Sequence, residues 1–126
     1  MLTKIIMIDG KEVKFRASAA VPRLYRTYFG RDIIRDIQKL EKSTVEIKGG
    51  KKPEYEIGDL EVFENVAYIF ARHGDPENVP KTVEEWLDEF NTFSIYTVLP
   101  ELLELWGMNQ LQTVESKKNL IKQIEK

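Results

Sequence analysis

The dipeptide Asp9-Gly10 is the strongest constraint in this sequence. It separates TKIIMI (3–8) from KEVKFR (11–16), two runs that read as strands. A two-residue loop between strands favours a type I′ turn, which needs positive φ at both positions, and Asp-Gly meets that need. The turn fixes the register: Ile8 opposite Lys11, Ile6 opposite Val13, Lys4 opposite Phe15. One face then carries Ile6, Ile8, Val13 and Phe15. The other carries Ile5 and Met7 opposite Lys14 and Glu12. A lone hairpin is marginal in water, so the first face requires helices against it. The second face is half apolar, with room for a further strand or a neighbouring subunit, and Ile5 and Met7 are candidate self-association residues.

Helical signals follow. In SAAVPRLYRTYFGRD (18–32) Pro22 suits a first helical turn. Leu24, Tyr25, Tyr28 and Phe29 share a side, Gly30 is a left-handed stop, and Asp32 is placed to cap the next helix. That helix, about 32–43, sets Ile33, Ile34, Ile37 and Leu40 on one stripe. Over 44–57 two readings stand, a second small hairpin or an irregular loop, with Gly49, Gly50 and Pro53 as breakers. Asp59 is read as the cap of a helix over 60–72, apolar around most of its circumference and therefore central. Thr82 and Glu85 have capping-box spacing, and Val83, Trp86, Leu87 and Phe90 recur at i, i+3, i+4, i+7. Ser94 is placed to cap a last helix bearing Ile95, Val98, Leu99, Leu102, Leu103 and Trp106. The apolar phase runs unbroken past Pro100, which predicts a kinked helix rather than a break.

The fold class expected is α+β: an N-terminal hairpin on about five helices. At 126 residues the chain suits one domain, read as 1–107 globular and 108–126 a polar, mobile tail. The formal net charge of -2 supplies no field to recruit nucleic acid or an anionic membrane. The longest apolar runs fall far short of the roughly 20 residues that span a bilayer. Without cysteine, thiol chemistry and Cys-based metal sites are excluded. The single histidine, His73, sits at a helix C-terminus, where the dipole favours a cation. The acidic pairs Glu84-Glu85, Asp88-Glu89 and Glu101/Glu104 fall on outer faces. Lys48, Lys51 and Lys52 form a basic cluster without the interleaved aromatics of a nucleic-acid site. No catalytic, metal or cofactor residue is named, and the chain is read as a non-enzyme.

The apolar segment 83–106 needs a different account. Burying Trp86, Leu87, Phe90, Leu99, Leu102, Leu103 and Trp106 would be worth on the order of 10–20 kcal/mol as an upper bound, against a net domain stability of about 5–15 kcal/mol. Most of these side chains must therefore be core. The remainder, taken with Phe93, are the candidate partner-binding residues.

Four blocks in order, IDGKEVKFRASAAVPRLYRTYFGRDII, ENVAYIFARHGDP, VEEWLDEF and IYTVLPELLELWG, resemble the tail assembly chaperones of long-tailed bacteriophages and prophages of Gram-positive bacteria. The resemblance covers about residues 3–107 and rests on the order and spacing of the blocks. The loop at 48–53 has no place in it. It implies a non-catalytic protein of the host bacterial cytoplasm, absent from the mature virion, that binds the tape measure protein and keeps it soluble while tail tube subunits polymerise. It also implies self-association and, in many relatives, a longer frameshifted product whose extension recruits tail tube protein. Lys117 and Lys118 are the candidate frameshift position, since Ser-Lys-Lys codons can contain the slippery heptamer A AAA AAG. The alternatives are a small adaptor domain of another phage or bacterial assembly, or a nucleic-acid-binding regulator using the lysine loop.

Overall fold

Among the residues that the computed structural model describes, 2–45 and 55–107, an antiparallel hairpin is followed by five helices, an α+β fold. Strands β1 (Leu2–Ile8) and β2 (Lys11–Ala17) pair in the register that the turn dictates, from Leu2 opposite Ala17 to Ile8 opposite Lys11. Asp9 and Gly10 have φ of 52° and 76°, the left-handed pair that a type I′ turn requires. Asp9 also reaches across the molecule: its Oδ2 accepts the backbone N–H of Asn91 at 2.9 Å. Beside it the Lys11 ammonium donates to the Glu89 carbonyl and lies 5.5 Å from the centre of the Phe90 ring. The hairpin tip is thus pinned to segment 89–91.

Helix α1 (Val21–Phe29) carries Pro22 in its first turn and stops at Gly30, whose φ is 66°. Its nine residues bury the stripe of Val21 and Tyr25, while Leu24 and Tyr28 stay substantially exposed. The expected four-residue apolar side is therefore split: a helix this short turns one narrow stripe inward. Helix α2 (Ile33–Val45) opens with Asp32 accepting the Ile34 N–H at 2.9 Å. It buries Ile33, Ile37 and Leu40 but leaves Ile34 exposed, and puts Asp36 in its place.

Asp36 is 5% exposed. It accepts the Tyr25 hydroxyl at 2.7 Å and both prongs of the Arg31 guanidinium at 2.7 and 2.8 Å. The two-pronged pair holds its carboxyl below the usual range in spite of burial, which acts the other way. This staple ties α1, the α1–α2 turn and α2 together.

The second-hairpin reading of 44–57 fails at its ends: 44 and 45 close α2, and Ile57 opens α3. Positions 46–54 lie outside the described residues. Helix α3 (Ile57–Gly74) begins two residues before Asp59, which is its third residue rather than its cap. From there Asp59 Oδ2 reaches back to the Glu56 N–H at 3.2 Å and to the Ser43 hydroxyl at 3.4 Å. Its Oδ1 has no hydrogen bond and faces the Lys39 ammonium at 3.7 Å. The helix buries both predicted rows, Phe63, Ala67 and Phe70 with Val62, Val66 and Ile69, plus Tyr68 and Ala71. It is the centre of the molecule, packed on β2, α1 and α2.

Helix α4 (Val83–Leu87) is capped by the Thr82 hydroxyl, which accepts the Glu85 N–H at 3.2 Å. Helix α5 spans 95–107 and runs through Pro100 without a break. Pro100 has no N–H to give the Tyr96 carbonyl one turn back. Both residues are exposed, so the missing bond falls on the wet side of the helix, where its loss is least costly. Lys4 on β1 reaches α5, its ammonium paired with Glu101 and, at 3.1 Å, with Glu104. No helix among the described residues is long and apolar enough to cross a membrane.

Candidate partner-binding surface

The apolar segment singled out in the sequence turns inward. Trp86, Leu99, Leu102 and Trp106 are buried, with Trp86 2% exposed. Leu87, Phe90, Phe93 and Leu103 are half-buried against the same core. Trp86 is its aromatic hub. Its ring meets Phe93 at 5.3 Å, Phe90 at 5.4 Å, Tyr68 at 5.9 Å and Phe15 at 6.5 Å, mostly edge to face. Edge-to-face contacts of this kind add about 0.5–1.5 kcal/mol each beyond area burial. Phe93 also stacks on Phe63 at 5.1 Å, and Trp106 on Phe70 at 6.2 Å. Trp86, Leu99, Leu102 and Trp106 thus belong to the core expected of most of this stripe, while Leu87, Phe90, Phe93 and Leu103 keep part of their surface in solvent.

The apolar side chains left in solvent lie elsewhere. Ile5 and Met7 are 59% and 56% exposed on the outer face of β1. Their backbone is open as well. In an antiparallel ladder closed by a two-residue turn, the pair flanking the turn exchanges hydrogen bonds and alternate pairs follow suit. Leu2, Lys4, Ile6 and Ile8 therefore bond to β2, and the N–H and C=O groups of Thr3, Ile5 and Met7 point away from it. β1 has β2 as its one neighbour in the sheet, and no backbone hydrogen bond reaches its other edge among the described residues. The edge of β2 is closed differently: Gly74 at the end of α3 lies so near that a Cβ there would sit 2.4 Å from the Lys14 carbonyl oxygen. Among the described residues, one edge of the hairpin is covered by a helix and the other is bare, with two apolar side chains projecting beside it.

A second group lies at the start of α3. Ile57 is 85% exposed and Leu60, one turn on, is also exposed. Next to them in the chain, Tyr55 lies with its ring 5.8 Å from that of Tyr96 on α5.

His73 lies in the last turn of α3, the helix end expected of it, and its Nε2 lies 2.8 Å from the Ser18 hydroxyl. Burial, with nearby Arg16, pushes its pKa below the usual histidine range. Arg16 and Arg72, both near His73, were given no role by the sequence, because their proximity depends on how α3 crosses β2. The lysine cluster at 48–52 and the frameshift candidates Lys117 and Lys118 lie outside the described residues, as does the predicted tail. No group of acidic or histidine side chains suited to a metal ion occurs among the described residues. No protein-family model, curated protein or solved structure matches this chain, so its surfaces are read from their own geometry.

Proposed function

We propose that this chain is a tail assembly chaperone that binds the tape measure protein and holds it soluble while tail tube subunits polymerise around it. Two lines support the reading. The four sequence blocks resemble that family in order and spacing. The edge of β1 left unpaired among the described residues, flanked by Ile5 and Met7, is the observation that carries the self-association expected of such a chaperone: an unpaired strand edge with apolar neighbours is a template for strand addition. Through it copies of the chain would associate. A long helical partner would be met by the exposed apolar side chains of helices, foremost Ile57 and Leu60. Repeated weak contacts along one partner add avidity. The working site is the host bacterial cytoplasm, and the mature virion lacks the chaperone. Tail tube protein would be recruited through a longer frameshifted product.

Co-expression with a tape measure protein tests this. The wild-type chain is expected to keep that protein in the soluble fraction. Ile57→Asp and Leu60→Asp together should lose the rescue while the far-UV CD spectrum and melting temperature stay unchanged. Ile5→Pro removes an outward N–H that the ladder does not use, so it should abolish self-association in sedimentation without unfolding the hairpin. Rescue by the Ile57/Leu60 double variant equal to wild type, or a wild-type chain that gives no rescue, would sink the proposal.

A further inference from the structure

A cavity of about 420 Å³ opens where three elements meet. Arg16 comes from β2, Leu24 and Tyr28 from α1, and Ile69, Arg72 and His73 from α3. None of its lining residues is acidic. The ion pairs among the described residues join Lys4 to Glu101 and Glu104, Arg31 to Asp36, and Lys39 to Asp59. Neither Arg16 nor Arg72 takes part in one. The Nε of Arg16 is buried and has no hydrogen-bond partner. Arg72 spends Nη1 on neutral oxygens, the Pro80 carbonyl at 3.0 Å and the Tyr68 hydroxyl at 3.4 Å. Its guanidinium lies 5.9 Å from the centre of the Tyr28 ring.

A buried guanidinium donor without a partner, such as the Arg16 Nε, is costly. Two partly buried guanidinium groups at one cavity without an ion-pair partner make a local positive field that an anion would relieve. A guanidinium fork matches the two oxygens of a carboxylate. Beside the His73 ring, the rest of the wall is apolar: Leu24, Ile69 and Pro76, with the face of Tyr28. Leu24 and Tyr28 are also partly open to solvent. Such a wall rewards an anion that brings apolar surface with it, and the volume lies within the range of ligand pockets.

We propose that this cavity binds a carboxylate carried on an apolar body, the carboxylate pairing with Arg16 and Arg72 and the body lying against Leu24, Tyr28 and Ile69. The site is independent of the strand edge and of the chaperone reading. The carboxylate comes either from a small acid or from an acidic side chain of a polypeptide.

Titration of the intact protein followed by NMR of the arginine Nε–H and His73 ring signals tests it. The probes are 3-phenylpropionate, a capped peptide with one Glu between leucines, the neutral 3-phenylpropionamide, and inorganic phosphate. Saturable shifts of the Arg16 and Arg72 signals with 3-phenylpropionate support the site with a small acid as source. Shifts with the peptide alone support it with a polypeptide as source. Arg72→Gln, which keeps an amide donor toward Pro80, should weaken the bound probe by about tenfold or more, as loss of a charged hydrogen-bond partner does. No saturable shift with either carboxylate, equal shifts with the amide, or phosphate binding as tightly as 3-phenylpropionate would overturn the proposal. The amide and phosphate arms use the wild-type chain, so they decide the matter even if the variant misfolds.

Discussion

Two glycines in α3 should respond in opposite directions to the same substitution. Gly58 and Gly74 both lie within the helix, and neither has the positive φ that would bar a side chain. In a helix alanine is favoured over glycine, by up to about 1 kcal/mol in the interior. At Gly58 nothing lies within 4 Å of the added Cβ, so Gly58→Ala should stabilise by about 0.4–1 kcal/mol. At Gly74 the Cβ would meet the Lys14 carbonyl oxygen at 2.4 Å, its carbon at 3.0 Å and the Arg16 nitrogen at 3.3 Å. These are backbone atoms of β2, locked in the ladder with β1, and they cannot swing aside as a side-chain tip would. Relieving the overlap means moving the end of α3 off the strand, at about 1–3 kcal/mol, the usual cost of overpacking. The net loss for Gly74→Ala is about 1–2 kcal/mol after the propensity gain. With a Tm change of about 4 °C per kcal/mol for a chain of this size, Gly74→Ala should melt about 4–8 °C lower and Gly58→Ala about 2–4 °C higher. Thermal unfolding followed by far-UV CD measures both. The Lys14 and Arg16 amide signals should move in Gly74→Ala and stay put in Gly58→Ala. A Gly74→Ala protein that melts at or above wild type would refute the close approach of α3 to β2, and with it the walls of the Arg16–Arg72 cavity.

Three further outcomes are expected. Asp36→Asn should cost about 1.5–3 kcal/mol at neutral pH in denaturant titration, because it weakens charged hydrogen bonds from Arg31. Since the folded pKa of Asp36 is lowered, its contribution is full above the unfolded value of about 3.9 and fades as pH falls through the folded one, so the gap between variant and wild type should narrow in acid. His73 also has a lowered folded pKa. Its neutral form stabilises the fold above about pH 6.5, and that share is lost as pH falls toward the folded pKa; His73→Gln should flatten the pH dependence of Tm in that window. Leu102→Ala should cost about 2–5 kcal/mol through the cavity it leaves, and a variant that keeps full stability yet loses a partner would restore the binding role first read into that residue.

The hairpin was legible because its determinants are local: one Asp-Gly pair sets the turn, the turn sets the register, and strand alternation sets the buried face of Ile6, Ile8, Val13 and Phe15. The Thr82 cap and both buried rows of α3 were legible for the same reason. Elsewhere the period alone could not choose. On α1 and α2, Leu24, Tyr28 and Ile34 are apolar and in phase yet exposed, while Asp36 is charged and buried, because the choice depends on which neighbour each helix meets and on Arg31 arriving from the intervening turn. Asp59 carries a capping residue type, but where the helix begins is decided by its contacts with Ser43 and Lys39. The stripe from Trp86 to Trp106 has the pattern of a binding helix and the location of a core.

What the sequence determined by itself is the hairpin with its register and inner face and the buried rows of α3, since these follow from dihedral preference and hydrophobic period within a dozen residues. What only the tertiary structure decided is the surface: the bare edge of β1, the cover that Gly74 lays over β2, and the meeting of Arg16 with Arg72 and His73. Each of these joins residues far apart in the chain, and no local period encodes which distant groups will be left without a partner.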